Sequence, residues 1–164
     1  MNESKLIIKP RKDIWWIEMS VGPCFARQID INKIELFITG RDSFGISRIG
    51  KSLLKINNDS SLSVLKIEDD PILDIGPSGC FDENGVSYPW IVVNKGIEYL
   101  YYVGWVNGGN NRFQNFLGLA TKPIKEKFFK RKFNVPILDR TEQEPFGTGS
   151  CCVFKEKNKW RMLY

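Results

Sequence analysis

A five-residue strand pattern recurs three times in this 164-residue chain and constrains its fold more than any single residue. It occurs, at spacings of 64 and 62 residues, as Ile34-Glu35-Leu36-Phe37-Ile38, Glu98-Tyr99-Leu100-Tyr101-Tyr102 and Trp160-Arg161-Met162-Leu163-Tyr164. A second matched pair, Pro71-Ile72-Leu73-Asp74 and Pro136-Ile137-Leu138-Asp139, lies 65 residues apart. A repeat of this length built from strands predicts the blades of a β-propeller.

The segments between the repeats carry the turn residues that bound short strands. Strands are predicted at residues 14–17, 25–30, 34–39, 47–50, 63–67, 86–93, 99–103, 116–120 and 150–154. Only the stretch from Ile124 to Lys132 has a helical period, so we expect helix in less than about 15% of the chain, against roughly one third in an average globular protein. The sequence predicts an all-β chain of about two and a half blades. It forms one partial domain over residues 1–164, with blade units at roughly 15–70, 71–135 and an incomplete 136–164.

The composition limits both the compartment and the partners. Hydrophobic residues make up 42% of the chain and charged residues 26%, and no apolar run approaches the roughly 18 residues that a membrane helix needs. The apolar run Leu6–Ile8 is too short for a signal-peptide core, so the sequence predicts a cytoplasmic protein without a membrane partner. The four cysteines lack paired C-x-x-C spacing and are expected to be small buried residues, with a metal or redox site as the alternative. No metal or other cofactor is predicted.

The chain contains no histidine, which removes whole classes of chemistry. Catalysis by a Ser-His-Asp or Cys-His apparatus, a histidine zinc site and a histidine general base are excluded within this chain. Carboxylate, tyrosine, lysine and thiol chemistry remain. Carboxylate pairs are the commonest of these on β-scaffolds, and glycoside hydrolysis uses such pairs.

Several segments carry a family resemblance. They are Gly79–Val86, Tyr99–Trp105 and Leu117–Ala120 for a second blade, Phe37–Asp42 and Ser47–Gly50 for a first, and Pro136–Arg140 and Glu144–Phe146 before a third. Together they resemble the five-bladed β-propeller glycosidases, the superfamily of arabinanases, β-xylosidases, invertases and levansucrases. The first-blade segments are similar to a bacterial branch often found beside polysaccharide genes. The resemblance covers roughly residues 15–164. It implies a glycoside hydrolase-like protein that acts on or binds an oligosaccharide or polysaccharide.

The resemblance also implies where the site lies. In this superfamily three acidic residues converge at the mouth of the central tunnel, where the innermost strand of each blade starts. One is the base or nucleophile, one orients and tunes, and one is the general acid. Asp82 stands before the second inner strand and Glu144 before the third, so Asp82 is assigned the tuning role and Glu144 the acid. We expect their carboxyl groups about 5 to 10 Å apart, near Arg41.

The first blade departs from the family pattern. Typical members carry Asp-Pro on its inner strand, whereas this chain has Gly22-Pro23. Glu18 and Asp42 are the nearby acids that would substitute if their loops turned inward. Loss of a nucleophile costs several powers of ten in rate, so the departure favours a weak or absent hydrolytic activity.

Four residues are assigned to substrate binding: Arg41, Asp42, Trp105 and Arg140. A guanidinium offers a planar fork for hydroxyls or for the carboxylate of an acidic sugar, and an indole offers a stacking surface. Each assignment has a structural alternative. The arginines would pair with neighbouring aspartates, the tryptophan would pack in a blade, and Asp82 and Glu144 would be a polar turn and a solvated surface acid.

Two other functional classes remain open. The net charge is +5, and Lys122–Lys132 holds six cations with Phe128 and Phe129 between them, a composition that also suits nucleic acid or an anionic surface. The excess is modest, so a solvated outer edge is favoured over nucleic acid binding. The third class is a propeller without chemistry that binds sugars, proteins or an anionic partner.

The length of the chain bears on assembly. Propellers close with roughly four to eight blades, so this chain is expected to be a fragment or to need a second copy. We expect self-association through the edge of the incomplete blade and little hydrolytic activity from the chain alone.

Overall fold

The computed structural model describes residues 5–164, with the side chains of all of these except residues 111 and 112. Within this range the chain forms one 3₁₀ helix, Trp15–Ile17, and ten strands. These are β1 Ser20–Asp30, β2 Lys33–Arg41, β3 Ser47–Ile56, β4 Leu62–Ile67, β5 Gly85–Asn94, β6 Ile97–Gly108, β7 Asn111–Pro123, β8 Lys130–Arg131, β9 Cys152–Glu156 and β10 Lys159–Leu163. The predicted all-β class is confirmed.

The strands are arranged as two four-stranded blades and the first half of a third. Strands β1 to β4 pair antiparallel in chain order, and β5 to β8 do the same. A separate hairpin, β9 with β10, begins the third blade. The first two blades are joined in one sheet by a single parallel bridge between Ser47 and Gly85. The fold is thus a β-propeller with about two and a half blades present.

The repeated sequence patterns occupy matching places in this architecture. The three five-residue patterns lie on β2, β6 and the β10 segment, the second strand of each blade. In the second matched pair, Leu73 bridges Ile49 of β3, and Leu138 bridges Leu117 of β7. Each segment therefore crosses back over the third strand of its blade before the next blade begins.

Two local predictions were wrong. Residues 14–17 form a 3₁₀ turn rather than a strand: the Ile17 amide donates to the Ile14 carbonyl at 3.1 Å, and the buried Trp16 indole donates to the Glu68 carbonyl at 3.0 Å. The helical period of residues 124–132 gives no helix. Instead, the Glu126 amide donates to the Pro123 carbonyl in a turn, and the two-residue strand β8 follows.

Large side chains fill the space above glycines in both blades. A methyl group at Gly50 would lie 2.1 Å from the Trp16 ring, and one at Gly118 would lie 2.7 Å from the Phe81 ring. Both aromatic side chains are buried, and Phe81 packs in the main apolar cluster between the blades. Because each aromatic precedes an inner strand, this packing fixes how the chain enters each blade. No helix in the described part of the chain is long and apolar enough to cross a membrane.

Candidate functional site

One end of the two blades brings together two of the residues assigned to the site. At this end Arg41 of β2 pairs with Ser47 of β3, and Gly85 of β5 pairs with Trp105 of β6. The bridge between Ser47 and Gly85 joins these two pairs. Arg41 and Trp105, far apart in sequence, therefore face one shared region at the junction of the blades.

That region is a cavity of about 260 Å³. Arg41, Trp105 and Asn84 line it, together with Phe113 from the part of the β6–β7 hairpin that extends beyond Trp105. The two aromatic rings meet edge to face with centroids 5.0 Å apart. The Trp105 indole donates to the Ser87 hydroxyl at 2.5 Å, which fixes the ring. Two of the four residues assigned to substrate binding thus share a cavity.

Asp82 is completely buried beneath this end of the second blade. Its Oδ2 accepts hydrogen bonds of 2.8 Å from the Tyr102 hydroxyl and from Nε of Arg131. Its Oδ1 has no hydrogen-bond partner among the described residues. Burial, followed by the nearby Asp82 charge, raises the pKa of Tyr102 far above its usual range, so this hydroxyl stays a donor. Asp82 is held rigidly, as a tuning role requires, and that role remains a prediction.

The Asp82 ion pair continues into the first blade. Arg131 donates from a terminal nitrogen to the Asp74 carbonyl at 2.5 Å, and the Asp74 carboxylate accepts from Nε of Arg48 at 2.7 Å. Arg48 then donates to the Asp42 carboxylate at 2.5 Å. A chain of charged groups therefore crosses the junction of the blades.

Asp42 is part of this chain of ion pairs and also supports its own loop. Its Oδ1 accepts from the Phe44 and Ile46 amides at 2.9 Å, and its Oδ2 accepts from Arg48. The residue is buried, with 6% of its surface exposed. Both carboxylate oxygens of Asp42 are already hydrogen-bonded, so a structural role in an ion pair with Arg48 accounts for this residue. A contact with substrate would require that ion pair to open.

Glu144 lies in a turn before β9. Its amide donates to the Thr141 hydroxyl at 3.1 Å, and the two residues also exchange backbone hydrogen bonds of 3.2 Å. Its carboxylate is half-buried and has no hydrogen bond or ion pair within the described part of the chain. The role of Glu144 as the acid remains a prediction.

Asp82 and Glu144 hold equivalent positions in successive blades. Each stands three residues before a glycine with φ in the left-handed region, Gly85 at 155° and Gly147 at 144°. A methyl group at either glycine would press on the third strand of the preceding blade, 2.6 Å from the Ser47 hydroxyl or 2.3 Å from the Asn115 carbonyl. Glycine is required at both places because the backbone approaches that strand so closely.

The corresponding place in the first blade holds no acid. A methyl group at Gly104 would touch Asp82, and one at the matching Gly40 would touch Ile17. Ile17 is fully buried, and Glu18 follows it in a half-buried position. The 64-residue spacing alone would align Glu18 with Asp82, but the contacts align Ile17 instead. Glu18 is therefore one residue out of register as a substitute for the absent base.

Arg140 lies outside the cavity that holds Arg41. Its guanidinium is exposed and stands over the Phe116 ring at 5.8 Å, while its amide donates to the Asp139 carboxylate at 2.7 Å. Neither Asp82 nor Glu144 lines the cavity of Arg41 and Trp105. The structure thus brings together two of the six assigned site residues in one cavity and leaves the other four around it.

Sequence reasoning missed a second cavity, of about 420 Å³, where the first strands of all three blades meet. Pro23 and Cys24 from β1, Tyr88 from β5 and the Cys151–Cys152 pair at the start of β9 line it. Tyr88 has a φ of 52° in a β-bulge. Gly22-Pro23 on β1 and Tyr88-Pro89 on β5 both lie at bulges. A proline within a strand indicates such a bulge, so these pairs were the sequence signal that could have pointed to this cavity.

The cysteines differ from one another in this arrangement. Of the four, only Cys151 is buried, contrary to the expectation for all of them: Cys80 and Cys152 are half-buried, and Cys24, at the β1 bulge, is exposed. Burial raises the pKa of the Cys151 thiol to about 12, so it is unreactive. Among the described residues, no group of three cysteine or acidic side chains is placed to hold a metal ion.

Half of the cations in the basic segment Lys122–Lys132 are neutralised. Lys122 pairs with Glu98 at 2.8 Å, Lys127 with Glu68 at 3.3 Å and Arg131 with Asp82. Three of its six cations are therefore held in ion pairs within the protein. This favours a structural role for the segment, at the outer edge of the blade, over nucleic acid binding.

Comparison with solved structures gives the fold class. A glycosyl hydrolase from Bacteroides ovatus superimposes with a TM-score of 0.68 and 17% identity, over 95% of this chain and 49% of that protein. A structure from work on the GH130 family of mannoside phosphorylases and glycoside hydrolases gives 0.65 and 18%, over 95% and 49%. Zg3597, a family 117 glycoside hydrolase of Zobellia galactanivorans, gives 0.60 and 16%, over 98% and 47%. The fold is that of propeller-type glycoside hydrolases.

Comparison of sequences adds relatives. No protein-family model matches the chain. Uncharacterized protein Rv1502 of Mycobacterium tuberculosis (strain H37Rv) is 27% identical over 158 residues, which cover 96% of this chain and 52% of that protein. The chain thus spans about half the length of this relative. Protein NrdI of Bartonella quintana is 30% identical over 129 residues, covering 76% of this chain and 92% of that protein. The chain belongs to one sequence family with this Bartonella protein.

Proposed function

We propose that this chain is a glycoside hydrolase-like protein that acts on or binds an oligosaccharide or polysaccharide. The binding surface is the end of the blades where Arg41 and Trp105 line one cavity. The observation that carries the proposal is this pairing of an exposed guanidinium with an aromatic pair, on a fold shared with glycoside hydrolases. Fold alone does not define function, so the argument depends on the cavity.

The two assigned acids have different tasks in this proposal. Glu144, whose carboxylate has no partner in the described part of the chain, is the general acid that protonates the leaving oxygen. Asp82 is a fixed carboxylate, because Tyr102 and Arg131 both donate to one of its oxygens. It instead fixes the electrostatic field and the position of the blade end. Arg140, over Phe116, contacts a more distant part of the sugar chain.

The test is a panel of oligosaccharides and aryl glycosides, with binding followed by calorimetry and hydrolysis by chromatography. We expect Trp105→Ala to weaken sugar binding at least about tenfold, since a stacked aromatic contributes on the order of 1 kcal/mol or more. Glu144→Gln should leave binding intact and remove any hydrolysis, whereas the exposed neighbour Glu142→Gln should change neither. Sugar binding that is unaffected by Trp105→Ala would reject the cavity as the binding surface.

A second candidate, a binding module without catalysis, is favoured by the first blade. Ile17 holds the place equivalent to Asp82. The resemblance to the propeller glycosidases implies that Gly22 stands where they have the base or nucleophile. A methyl group at Gly22 would approach nothing closer than the Thr39 carbonyl at 3.9 Å, so Gly22→Asp is sterically accepted. Hydrolysis that appears only in Gly22→Asp would identify the missing carboxylate as the reason for inactivity. Binding without turnover in both proteins would favour the module.

Self-association and location complete the proposal. Strand β10 pairs only with β9 in the described part of the chain, and Trp160 and Leu163 on it are 46% and 63% exposed. An unpaired edge with apolar side chains favours pairing with a second copy. Sedimentation at increasing concentration tests this, and a monomer at every concentration would reject it. We also propose that the protein is cytoplasmic.

A further inference from the structure

We propose that the cavity between Arg41 and Trp105 binds the carboxylate of an acidic sugar, so that the ligand is an oligosaccharide containing a uronic acid. This inference rests on the proposed carbohydrate function and adds the chemical class of the sugar. It starts from the charges around the cavity.

Arg41 is a cation without a partner among the described residues. It is exposed at the end of β2, and its side chain makes no ion pair or hydrogen bond there. The adjacent carboxylate of Asp42 is already bound to Arg48 at 2.5 Å. Arg27 and Arg131 also line cavities, but each is paired with a carboxylate. Of these three cavity-lining arginines, Arg41 is therefore the one whose guanidinium is available to an anionic ligand.

The cavity offers donors and lacks acidic acceptors. No aspartate or glutamate lines it. The side-chain oxygen of Asn84 accepts the Asn107 amide at 2.8 Å, which leaves its NH₂ group as a donor. A neutral sugar carries hydroxyl donors that need acceptors, commonly carboxylates, whereas a carboxylate ligand only accepts. The imbalance therefore favours a ligand rich in acceptors.

The geometry of the cation favours a carboxylate. A guanidinium donates two parallel hydrogen bonds to the two oxygens of a planar carboxylate. The edge-to-face pair of Trp105 and Phe113 stands in the same cavity and offers an apolar surface for the C–H face of a sugar ring. The cavity thus combines a stacking surface with one charged anchor.

The experiment compares a trigalacturonate with its methyl ester, which keeps the sugar and removes the charge. We expect the intact chain to bind the acid at least about tenfold more tightly than the ester, because charge-assisted bidentate hydrogen bonds are lost in the ester. Arg41→Gln should weaken acid binding by the same factor and ester binding much less, so that the preference for the acid is lost. The affinity of Arg41→Lys for the acid should lie between those of the intact chain and of Arg41→Gln, since lysine keeps the charge but lacks the planar fork of donors.

Arg161→Gln is the control, because Arg161 is exposed, pairs with Glu156 and lies on β10, away from the cavity. It should leave the preference for the acid unchanged. Equal binding of acid and ester, or a preference that survives Arg41→Gln, would overturn this inference while the proposed function stands. Tighter binding of a sulfated oligosaccharide would overturn the choice of a carboxylate. If no sugar of either kind binds, the proposed function and this inference both fail.

Discussion

Asp82 and Glu144 stand at the same place in successive blades, yet their surroundings are opposite. Asp82 is fully buried and bound by Tyr102 and Arg131, whereas the carboxylate of Glu144 has no partner among the described residues. The repeat therefore fixes where an acid is attached to the backbone. The other strands of each blade decide whether that acid is locked or free.

The difference comes from partners in the second and fourth strands. Tyr102 closes the strand pattern on β6, and Arg131 lies on β8. Tyr164 holds the place of Tyr102 in the third pattern, but it is 58% exposed and makes no hydrogen bond to Glu144. The same backbone position thus carries a locked carboxylate in one blade and, in the next, a carboxylate without a partner among the described residues.

The largest expected effect comes from removing the buried acid. Asp82→Ala leaves Arg131 without its carboxylate, and we expect a loss of about 3 to 5 kcal/mol in the free energy of unfolding. Glu144→Ala should change it by less than about 0.5 kcal/mol. Urea unfolding of both variants measures the contrast. Equal losses would show that the two acids are not differently held.

The two glycines that position these acids should also differ. At Gly147 a methyl group meets the Asn115 backbone carbonyl, which cannot move away, and at Gly85 it meets the Ser47 hydroxyl, which can rotate. We expect Gly147→Ala to cost about 2 to 3 kcal/mol and Gly85→Ala about 1 to 2 kcal/mol in unfolding free energy. Gly149→Ala, where a methyl group meets nothing within 4 Å, is the control. The reverse order would contradict the proposed contacts.

Tyr102→Phe removes one hydrogen bond from Asp82 without changing the packing. We expect a loss of about 1 to 2 kcal/mol, because the carboxylate stays buried with one donor fewer. Tyr164→Phe removes the hydroxyl at the matching place in the third pattern and should be neutral. Thermal unfolding compares the two, and an equal effect would indicate that Tyr164 also holds an acid.

The smallest effect is a change in stability at alkaline pH. The pKa of Tyr102 is raised by burial and by Asp82, so the folded state retains this proton when the unfolded chain releases it near pH 10. Stability from this group is present below that pH and declines as the pH rises above it. Tyr102→Phe should make the decline between pH 9.5 and about 11 shallower. An unchanged slope would mean that Tyr101 and Cys151, whose pKa values are also raised, account for the decline.

The strand patterns predicted the second strand of every blade because alternating apolar residues bury one face of a sheet. The same reasoning failed at Ile14–Ile17, since a short apolar run fits a turn as well as a strand. It assigned Asp82 and Glu144 to equivalent places but not their environments. Arg131 lies 49 positions from Asp82 on a strand of two residues, and no local pattern indicates such a contact. The 64-residue spacing aligned Glu18 with Asp82, one residue away from the match that the contacts show. Ile17 was therefore missed.

The single bridge between Ser47 and Gly85 has a mechanical consequence. Within a blade, long antiparallel ladders hold the strands together, whereas the strands of the first two blades share one ladder bridge, and the Phe129 amide adds a hydrogen bond of 2.9 Å to the Ile72 carbonyl. Their relative orientation is thus set by packed side chains, by the ion pair of Arg48 with Asp74 and by the hydrogen bond from Arg131 to the Asp74 carbonyl. Under an applied force, or in hydrogen exchange, each blade should open as a unit of its own. We expect an insertion in the segment between two blades to be tolerated if the side-chain contacts between those blades are kept. Each blade would then be a separate unit of the sequence as well as of the fold.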